Sequence, residues 1–549
     1  MTLEGDLKAL DCGDVDATAT TRATYSHDAS VFQVTPEVVV YPRSSADVER
    51  IVVYAQNHPG VAITARSAGT DMTGGAIGAS IVMDTTRYMH EIVDIERDNS
   101  VPGRDGFVVV QPGVFYRNLE PATLERGLQY PVYPASRDLC AMGGIVSNNS
   151  GGEKSLTHGQ AVDWLRSLKA VLADGKEYTL GPLDKDGLAT KMKQEDFEGE
   201  LYRNVFGLVN ANRQEIIAMK PKVSKNSSGY QLWNVWNGTT FNLGKLLCGS
   251  QGTLGIVTEA TLEVMQPKKH KQMIVIFLKD IAPIASVVTD VLQFKPETLE
   301  SFDDKTLWFT LRFLPDFVRI IGASNIITLG LKFLPEAWMV LRGGMPKLIV
   351  IAEFTGDTKD DVQARAAQAL KAVRARGINA RLTKDEEEAH KYWTIRRSSF
   401  NVIRSHTKGK RTTPFIDDFI INPKDMPEFL PKLYDILRPY KLTLTIAGHV
   451  GDGNFHIIPL MDLRDSATRR IIPELSKKVY SLVLQYGGSI TAEHNDGLIR
   501  GPYVRQMFGD HGYELFRQVK KIFDPKGIFN PGKKIDVDWE WAMQHLRTD

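Results

Sequence analysis

The chain has 549 residues, which is too many for one ordinary hydrophobic core and predicts two or three lobes. Its 67 lysines and arginines nearly cancel its 66 aspartates and glutamates, so no global charge favours nucleic acid or an acidic partner. The three cysteines, Cys12, Cys140 and Cys248, argue against a disulfide framework and are too few for a four-cysteine iron–sulfur cluster.

The N-terminal third begins with the pattern of an α/β lobe. Residues 35–41 are typical of a buried strand, Ser44 or Ser45 can cap a helix over residues 46–57, and residues 61–66 are typical of a second strand. This order of elements predicts an α/β arrangement. Residues 1–34 form an N-terminal extension without the basic and apolar runs of a signal peptide, and no stretch is typical of a membrane span, so we expect a cytoplasmic protein.

A glycine-rich loop follows the second strand and contains Gly69, Gly74 and Gly75. Glycines allow the backbone to turn successive N–H groups inward, so this loop can form a nest that holds a pyrophosphate. It is neither a G-x-G-x-x-G helix opener nor a Walker loop, so a Rossmann-bound nicotinamide is not implied. A simple turn is the alternative interpretation.

Small and amide residues are concentrated in residues 134–152 and again in residues 249–259. Such a composition lets the backbone approach a flat ring closely, and asparagine side chains offer donors and acceptors to the polar edge of a ring. An irregular surface loop is the alternative interpretation of the first stretch.

Residues 305–346 contain an internal repeat, L-R-F-L-P-D at 311–316 and L-K-F-L-P-E at 331–336. Around the first copy, the charged residues fall at helical spacing on one face and leave a broad apolar face opposite. One interpretation is a helical hairpin that completes a hydrophobic core. The other is an interfacial anchor at a membrane surface, where basic residues beside an aromatic-rich face are favoured.

Residues 448–459 have the sequence G-H-V-G-D-G-N-F-H-I-I-P. The apolar runs on either side predict two strands joined by a Gly-Asp-Gly turn, with His449 and His456 at the two ends of that turn. Neutral imidazoles in this arrangement suit a divalent metal, and Glu493 offers a third ligand. A hairpin with two partly buried histidines is the alternative.

The G-H-V-G-D-G-N-F-H run, the later Glu493–His494 pair and the glycine-rich stretch 66–75 resemble the flavin-dependent 2-hydroxy acid dehydrogenases of the vanillyl-alcohol oxidase superfamily. This group includes D-lactate and D-2-hydroxyglutarate dehydrogenases and glycolate oxidase subunits. The resemblance extends from about Thr35 to Lys533. It implies an α+β protein with a two-lobed PCMH-type FAD-binding domain at 35–267. A cap domain with an antiparallel sheet would span 268–500, with a helical insertion at 305–346, and residues 501–549 would return to the flavin.

The resemblance implies that FAD is bound without a covalent link, even though His158 stands in a loop of the FAD-binding domain. The pyrophosphate is expected on the glycine-rich loop and the ring system near residues 134–152 and 249–259. The residues implied to bind FAD are Arg66, Ser67, Ala68, Gly69, Thr70, Asp71, Gly74, Gln111, Pro134, Ser136, Met142, Gly143, Gly144, Asn148, Gly151, Gly152, Gly255, Ile256, Val257, Asn454 and Asn530.

The resemblance also implies the chemistry of the site. His449, His456 and Glu493 are expected to hold zinc or manganese, which binds the hydroxyl oxygen of the substrate and lowers its pKa. Arg396 is expected to grip the substrate carboxylate, because a guanidinium matches a carboxylate in bidentate geometry. His494 is expected to take the hydroxyl proton while hydride passes to flavin N5.

Several positions depart from the pattern of the hydroxyglutarate enzymes. Phe400 stands where they have a small hydroxyl residue and Ile458 where they have a polar amide, so the pocket is less able to pair a second carboxylate. The family has a lysine in the substrate pocket, and Lys410 or Arg411 could replace it here. Arg397 is the alternative to Arg396 as the ligand of the substrate carboxylate. We therefore expect lactate or a hydrophobic 2-hydroxy acid rather than hydroxyglutarate.

Two backbone motifs also differ from the family pattern. Ser67 and Ala68 stand in the loop where relatives more often have glycines, which predicts a slightly narrower nest. After Glu493–His494 the chain has Asn-Asp-Gly where relatives usually have Gly-Ile-Gly, and this leaves the placement of the catalytic pair open.

Two other functions remain as alternatives. One is a non-redox FAD enzyme of the alkylglycerone-phosphate synthase type, and the other is a flavoprotein subunit that only relays electrons. With too few cysteines for a cluster and no nicotinamide motif, the reduced flavin must pass electrons to quinone, to an electron-transfer protein or to oxygen. The apolar face within residues 305–346 then predicts peripheral docking on the cytoplasmic membrane face.

Overall fold

The computed structural model describes residues 2–306, 308, 344–406 and 409–548, and of residues 398–406 and 445 only the backbone. Nearly all of the predicted insertion 305–346 lies outside the described residues, so both interpretations of it remain predictions. The side chain of Phe400 lies outside them as well. None of the helices in the described ranges is both long and apolar enough to cross a bilayer.

The strands of the described residues are numbered in chain order. They are β1 (Asp14–Asp16), β2 (Val38–Tyr41), β3 (Ile63–Arg66), β4 (Ile81–Asp84), β5 (Ile92–Arg97), β6 (Gly106–Val110), β7 (Leu165–Val171), β8 (Glu177–Leu180), β9 (Ile256–Val264), β10 (His270–Leu278), β11 (Thr298–Asp303), β12 (Leu348–Gly356), β13 (Asn379–Leu382), β14 (Arg411–Thr412), β15 (Phe419–Ile420), β16 (Thr443–His449) and β17 (Asn454–Met461).

The α-helices are given by their bounds. They are Leu3–Ala9, Ala19–Tyr25, Ser45–Asn57, Tyr116–Glu125, Met142–Asn148, Ser155–His158, Lys185–Met192, Phe197–Ala211, Arg213–Ala218, Gly244–Leu247, Ile284–Leu292, Lys359–Ala375, Glu386–His406, Met426–Leu437, Ser466–Gln485, Gly501–Phe523 and Trp539–Gln544.

The first lobe is a four-stranded sheet in the order β1-β2-β4-β3. Strands β2, β3 and β4 are parallel, and the helix Ser45–Asn57 connects β2 to β3 as the strand-helix-strand pattern predicts. Ser44 caps this helix, because its side chain accepts a hydrogen bond from the backbone N–H of Asp47 at 3.4 Å. Val38, Val40 and Ile51 are buried between the sheet and the helix, which accounts for the apolar run in β2.

The second lobe is a five-stranded antiparallel sheet in the order β5-β6-β9-β7-β8. Its buried face and the helices Tyr116–Glu125 and Phe197–Ala211 share one hydrophobic core. The long helix Gly501–Phe523 contributes Val504, Phe516 and Val519 to the same core, so the C-terminal segment packs on this lobe. The backbone N–H of Ile63 also donates to Ile528 O at 2.8 Å, which ties the end of the chain to the first lobe.

The third unit contains an eight-stranded antiparallel sheet in the order β13-β10-β12-β11-β16-β17-β14, with β15 paired to β17. The helices Ile284–Leu292 and Lys359–Ala375 cover one face with alanines and valines. On the other face, Tyr392, Trp393 and Ile395 of the helix Glu386–His406 pack in a smaller cluster with Phe302 and Ile351. This packing places Arg396, the next residue of that helix, beside β11. The α+β class and the antiparallel sheet predicted for the cap are confirmed.

The predicted hairpin is formed by β16 and β17, with His449 opposite Asn454 and Ala447 opposite His456. Two of its glycines are required by space. A Cβ atom on Gly448 would lie 2.2 Å from Asn454 O, and one on Gly453, which has φ +79°, would lie 2.0 Å from Ile421 O. The Gly-Asp-Gly turn can therefore be tight and closely covered by the neighbouring chain.

Candidate functional site

One cavity of about 570 Å³ connects the glycine-rich loop with the eight-stranded sheet. Residues 65–72 form its wall at one end. Residues from the stretches 134–151 and 251–257 line the middle. The cap supplies the other end, where the wall residues are Thr306, Arg396, Arg397, Asp417, Ala447, His456, Ile458, Glu493 and His494.

Most residues predicted to bind FAD line this cavity. They are Arg66, Ser67, Ala68, Gly69, Thr70, Asp71, Pro134, Ser136, Gly143, Gly144, Asn148, Gly151, Gly255 and Val257. Many of them are glycine, alanine or serine, as the composition of these stretches predicts.

The structure places the other predicted FAD residues behind the wall. Asn530 Nδ2 donates to Gly75 O and Gln251 O, both at 2.8 Å, and so joins two of the loops. Gln111 Oε1 accepts from the backbone N–H of Glu91 at 2.9 Å. The remaining members of this group are buried or packed against neighbouring chain, namely Gly74, Met142, Gly152, Ile256 and Asn454. Direct contact of these seven residues with FAD stays a prediction.

The glycine-rich loop is shaped by Asp71. Its Oδ1 accepts from the backbone N–H of Thr73 at 2.7 Å and of Gly75 at 2.9 Å, while Oδ2 accepts from Gln251 Nε2 at 3.0 Å. Gly69 has φ +67°, a conformation that glycine adopts without strain. The loop therefore has a fixed form despite the side chains that stand where relatives have glycine.

At the cap end, three imidazoles surround one carboxylate oxygen. Glu493 Oε1 lies 3.1 Å from His449 Nε2, 3.4 Å from His456 Nε2 and 3.9 Å from His494 Nε2. The hairpin supplies the first two histidines, as predicted, and the chain returns after the helix Ser466–Gln485 to supply the other two residues. The predicted metal ligands and the predicted base thus lie within one cluster.

Carboxylates that the sequence patterns did not single out face the outer nitrogens of the imidazoles. Glu300 Oε1 lies 2.5 Å from His449 Nδ1, and Asp417 lies 3.1 Å from His456 Nδ1 and 2.8 Å from His494 Nδ1. A carboxylate at Nδ1 favours a proton on that atom, so in each neutral imidazole Nε2 carries the lone pair and faces Glu493. Lone pairs that converge on a carboxylate oxygen call for a cation between them.

The donor set of two histidines and one carboxylate fits a divalent ion of the zinc or manganese type. Asp418 is a further neighbour, since its ligand atoms lie within 4.8 Å of those of His456, Glu493 and His494. However, Asp418 Oδ2 accepts from Thr491 Oγ1 at 2.6 Å and from the backbone N–H groups of Glu493 at 2.9 Å and His494 at 2.7 Å. Its lone pairs are therefore engaged by the protein, and His449 is the better third ligand.

The electrostatics of the cluster also favour positive charge. Burial alone would lower the pKa of His456, but Asp417 and Glu493 outweigh it and raise this pKa to about 10. Burial acts in the same way on His494, whose pKa is nevertheless raised by Asp418 and Asp417. Burial would raise the pKa of Glu493, yet Lys225 and the imidazoles hold it well below its usual value.

Two neighbouring arginines line the cavity beside this cluster. Arg396 Nε donates to Glu300 Oε2 at 3.2 Å, so Glu300 joins this guanidinium to His449. Arg397 forms a bidentate ion pair with Glu153, in which Nε donates to Oε2 at 2.9 Å. Glu153 holds Arg397 through both of its carboxylate oxygens, whereas Glu300 is shared between Arg396 and His449, so Arg396 is the stronger candidate for a substrate carboxylate.

The departures after Glu493–His494 are accommodated by polar contacts. Asn495 has φ +70°, which asparagine tolerates better than most residues, and its Nδ2 donates to Asn148 O at 3.1 Å and Gly249 O at 2.9 Å. Asp496 forms a buried ion pair with Lys534 at 2.9 Å. Glu493 and His494 themselves line the cavity.

Lys410 and Arg411 do not take the place of a pocket lysine in the described residues. They line a second cavity of about 360 Å³, together with Asp462, Arg464 and residues 28–31. His158 is the histidine at which a covalent link to the flavin can be imagined. Its Nε2 lies 3.2 Å from Glu297 Oε1 of the cap.

Two family models match the chain. Residues 36–181 match the FAD binding domain, and residues 267–534 match the C-terminal domain of FAD linked oxidases. Together they account for more than half of the chain. The chain therefore belongs to the FAD-linked oxidases. The resemblance drawn from the motifs is confirmed.

Three named proteins illustrate which enzymes are similar to this chain. The D-2-hydroxyglutarate dehydrogenase of Escherichia coli (strain K12) is 26% identical over 532 residues, which cover 95% of this chain and 50% of that protein. The glycolate oxidase subunit GlcD of Bacillus subtilis (strain 168) is 26% identical, with 94% and 93% covered. The D-lactate dehydrogenase of Archaeoglobus fulgidus is also 26% identical, with 91% of each covered. The chain spans about half the length of the first hydroxyglutarate dehydrogenases it matches.

Solved structures confirm the PCMH-type fold. A substrate-bound p-cresol methylhydroxylase has a TM-score of 0.66 at 14% identity, with 97% of both chains covered. An alkyldihydroxyacetonephosphate synthase has a TM-score of 0.65 at 16% identity, with 97% of this chain and 85% of that chain covered. At these identities the likeness concerns the fold alone.

Proposed function

We propose that the protein oxidises a D-2-hydroxy acid to the 2-oxo acid with non-covalently bound FAD. The observation that carries this proposal is the single cavity that joins the glycine-rich loop to the cluster of Glu493, three imidazoles and Arg396. A hydroxy acid needs a cation for its carboxylate, a base for its hydroxyl proton and a hydride acceptor on the other side, and this cavity can provide all of them.

His494 is the proposed general base. It lines the cavity with a side chain that is 20% exposed, whereas His449 is 5% exposed and Glu493 is 4% exposed. Its Nδ1 lies 2.8 Å from Asp417 Oδ2, so the carboxylate can stabilise the imidazolium that forms when the base takes a proton. Arg396 orients the substrate by its carboxylate, so that the hydroxyl group is presented to the histidines.

The groups that the chain would hold complete the chemistry. FAD would supply a hydride acceptor at N5, and a divalent ion held by His449, His456 and Glu493 would supply positive charge that favours the deprotonated hydroxyl. The fit of the residues to such an ion rests on the converging nitrogen atoms and the surplus of carboxylates around them.

We propose lactate or another small or hydrophobic 2-hydroxy acid as the substrate class. Ala447 and Ile458 line the substrate end of the cavity. Among the described residues there, the arginine and lysine side chains that line the wall are Arg396 and Arg397, and Arg397 is already paired with Glu153. A second substrate carboxylate would therefore lack a partner of its own. Hydroxyglutarate remains the second candidate because five of the similar proteins are named D-2-hydroxyglutarate dehydrogenase.

The test is anaerobic mixing of the flavin-loaded protein with D-lactate, L-lactate, glycolate and D-2-hydroxyglutarate. Rapid bleaching of the flavin by D-lactate supports the proposal, and faster bleaching by D-2-hydroxyglutarate would reverse the substrate assignment. Bleaching only by a reduced partner protein would favour an electron-relay subunit. No bleaching by any of them would favour the non-redox synthase chemistry instead.

The proposed electron acceptor is a quinone or an electron-transfer protein. The cysteine count leaves no iron–sulfur cluster of four cysteines within this chain, and the glycine-rich loop is not of the nicotinamide type. Peripheral contact with a membrane through residues 305–346 would bring the flavin to a quinone pool.

A further inference from the structure

A lysine outside the proposed mechanism lies directly behind Glu493. Lys225 belongs to the FAD-binding part of the chain, and its side chain is 0% exposed. Its Nζ lies 3.3 Å from Glu493 Oε2, 3.1 Å from Asn454 Oδ1 and 3.5 Å from Asp452 Oδ2. The buried ammonium therefore donates hydrogen bonds to Glu493 and Asn454 and forms an ion pair with Asp452.

Two of these acceptors come from the turn between β16 and β17, and both are fixed. Asp452 Oδ1 accepts from Ser224 Oγ at 2.6 Å, which leaves Oδ2 toward the lysine. Asn454 Nδ2 donates to Asp418 Oδ1 and Phe419 O, both at 3.1 Å, so its Oδ1 must face Lys225. The polar residues Asp452 and Asn454 of this turn therefore bind the Lys225 ammonium group and do not line the cavity.

The consequence concerns the two oxygens of Glu493. Oε2 is held by Lys225, while Oε1 faces the imidazole Nε2 atoms of His449 and His456. We propose that Lys225 is a positioning residue that keeps Glu493 a one-oxygen ligand for the cation of this site. The inference rests on the proposed function only in that a divalent ion is taken to bind there.

The experiment uses the flavin-loaded protein, stripped of metal by a chelator and titrated with Co²⁺. Co²⁺ affinity is measured by competition with a chelating dye, and coordination by the cobalt d–d bands in difference spectra against the Zn²⁺-loaded protein. Lys225→Met keeps the volume of the side chain but removes the charge. We expect it to weaken Co²⁺ binding about 10- to 100-fold, as loss of a residue that orients a ligand does. We also expect weaker d–d bands, because a freed Oε2 raises the coordination number.

A matched control is Lys534→Met. Lys534 is also fully buried and pairs with a carboxylate, Asp496, at 2.9 Å, but its Nζ makes no contact with the proposed metal ligands among the described residues. This variant should lose stability yet bind Co²⁺ with the affinity and spectrum of the wild type. Lys225→Arg, which keeps the charge, should recover part of the affinity that Lys225→Met loses.

Wild-type affinity and spectrum in Lys225→Met would overturn the proposal, as would equal losses of affinity in both methionine variants. If Lys225→Met does not fold, a crystal structure of the Zn²⁺-loaded wild type decides: Glu493 bound through Oε1 alone supports the inference, and both oxygens on the metal refute it. A wild type that binds no Co²⁺ also refutes it, whereas bleaching of the flavin by hydroxy acids is read separately and tests the proposed function.

Discussion

Exchanging Arg396 and Arg397 for lysine, one at a time, separates substrate binding from structural pairing. Both residues lie on the helix Glu386–His406 and line the cavity. Lysine keeps the positive charge but cannot offer two parallel N–H groups to one carboxylate. The side chain of Arg396 is only 10% exposed, so water weakens its interactions little.

The magnitude follows from the loss of one hydrogen bond to a charged group. Such a bond contributes about 1.5–3 kcal/mol, and each ~1.4 kcal/mol is a factor of ten in rate. We therefore expect Arg396→Lys to lower the second-order rate constant of flavin reduction by about 10- to 100-fold. Arg397→Lys should leave that constant near the wild-type value and lower the thermal stability instead, because Glu153 loses its two-pronged partner.

The assay is anaerobic stopped-flow reduction of the flavin by D-lactate over a range of concentrations, with melting temperatures measured on the same preparations. A larger loss of the second-order rate constant in Arg397→Lys than in Arg396→Lys would refute the assignment. It would mean that the ion pair with Glu153 opens to admit the substrate carboxylate. Equal losses would indicate that the two guanidinium groups share the substrate.

Four other outcomes are expected. His494→Ala should slow flavin reduction by about two to four decades while FAD stays bound, and full-speed reduction in the variant would contradict its role as base. Chelation should abolish flavin reduction, and zinc or manganese should restore it. Active protein without stoichiometric metal in elemental analysis would contradict this prediction. Burial acts to raise the pKa of Glu153, but Arg397 lowers it to about 2, so its stabilisation is present above the unfolded pKa of 4.5 and lost as the pH falls toward 2. Acid unfolding of Glu153→Gln should lack about 3 kcal/mol of this pH dependence. The intact chain should sediment with anionic liposomes, whereas a variant with serine at the four aromatic positions Trp308, Phe309, Phe313 and Phe317 should not. If neither protein sediments and the variant misfolds, the segment is part of the cap core.

The features that the sequence predicted well are local ones. The β16–β17 hairpin follows from alternating residues around a Gly-Asp-Gly turn. Gly448 and Gly453, where a Cβ atom would clash with backbone, are both part of the sequence motif. The histidines at the ends of the turn could be named because a hairpin fixes their separation. Glu493 is distant in sequence and could be offered as a third ligand only by its residue type, and His494 received its role only through the resemblance to a family.

The residues that sequence reasoning missed act through long-range contacts. Glu300 lies in β11, a strand with all its residues buried, and Asp417 precedes the short strand β15. A carboxylate within an otherwise buried strand is a usable signal, since such a group must find a partner. Lys225 gives no such signal, because the stretch K-N-S-S-G around it has the composition of an ordinary loop.

The loop that carries Glu493 and His494 is held from both sides, which explains why its unusual sequence is tolerated. The FAD-binding part contributes Asn148 Nδ2, which donates to Glu493 O at 2.9 Å, and Gln160 Nε2, which donates to Ala492 O at 2.9 Å. The cap contributes Asp418, which accepts from the backbone N–H groups of Glu493 and His494. Because neither part alone supplies all of these contacts, the cluster of imidazoles around Glu493 can form only where the cap and the FAD-binding part meet, next to the cavity proposed for the flavin.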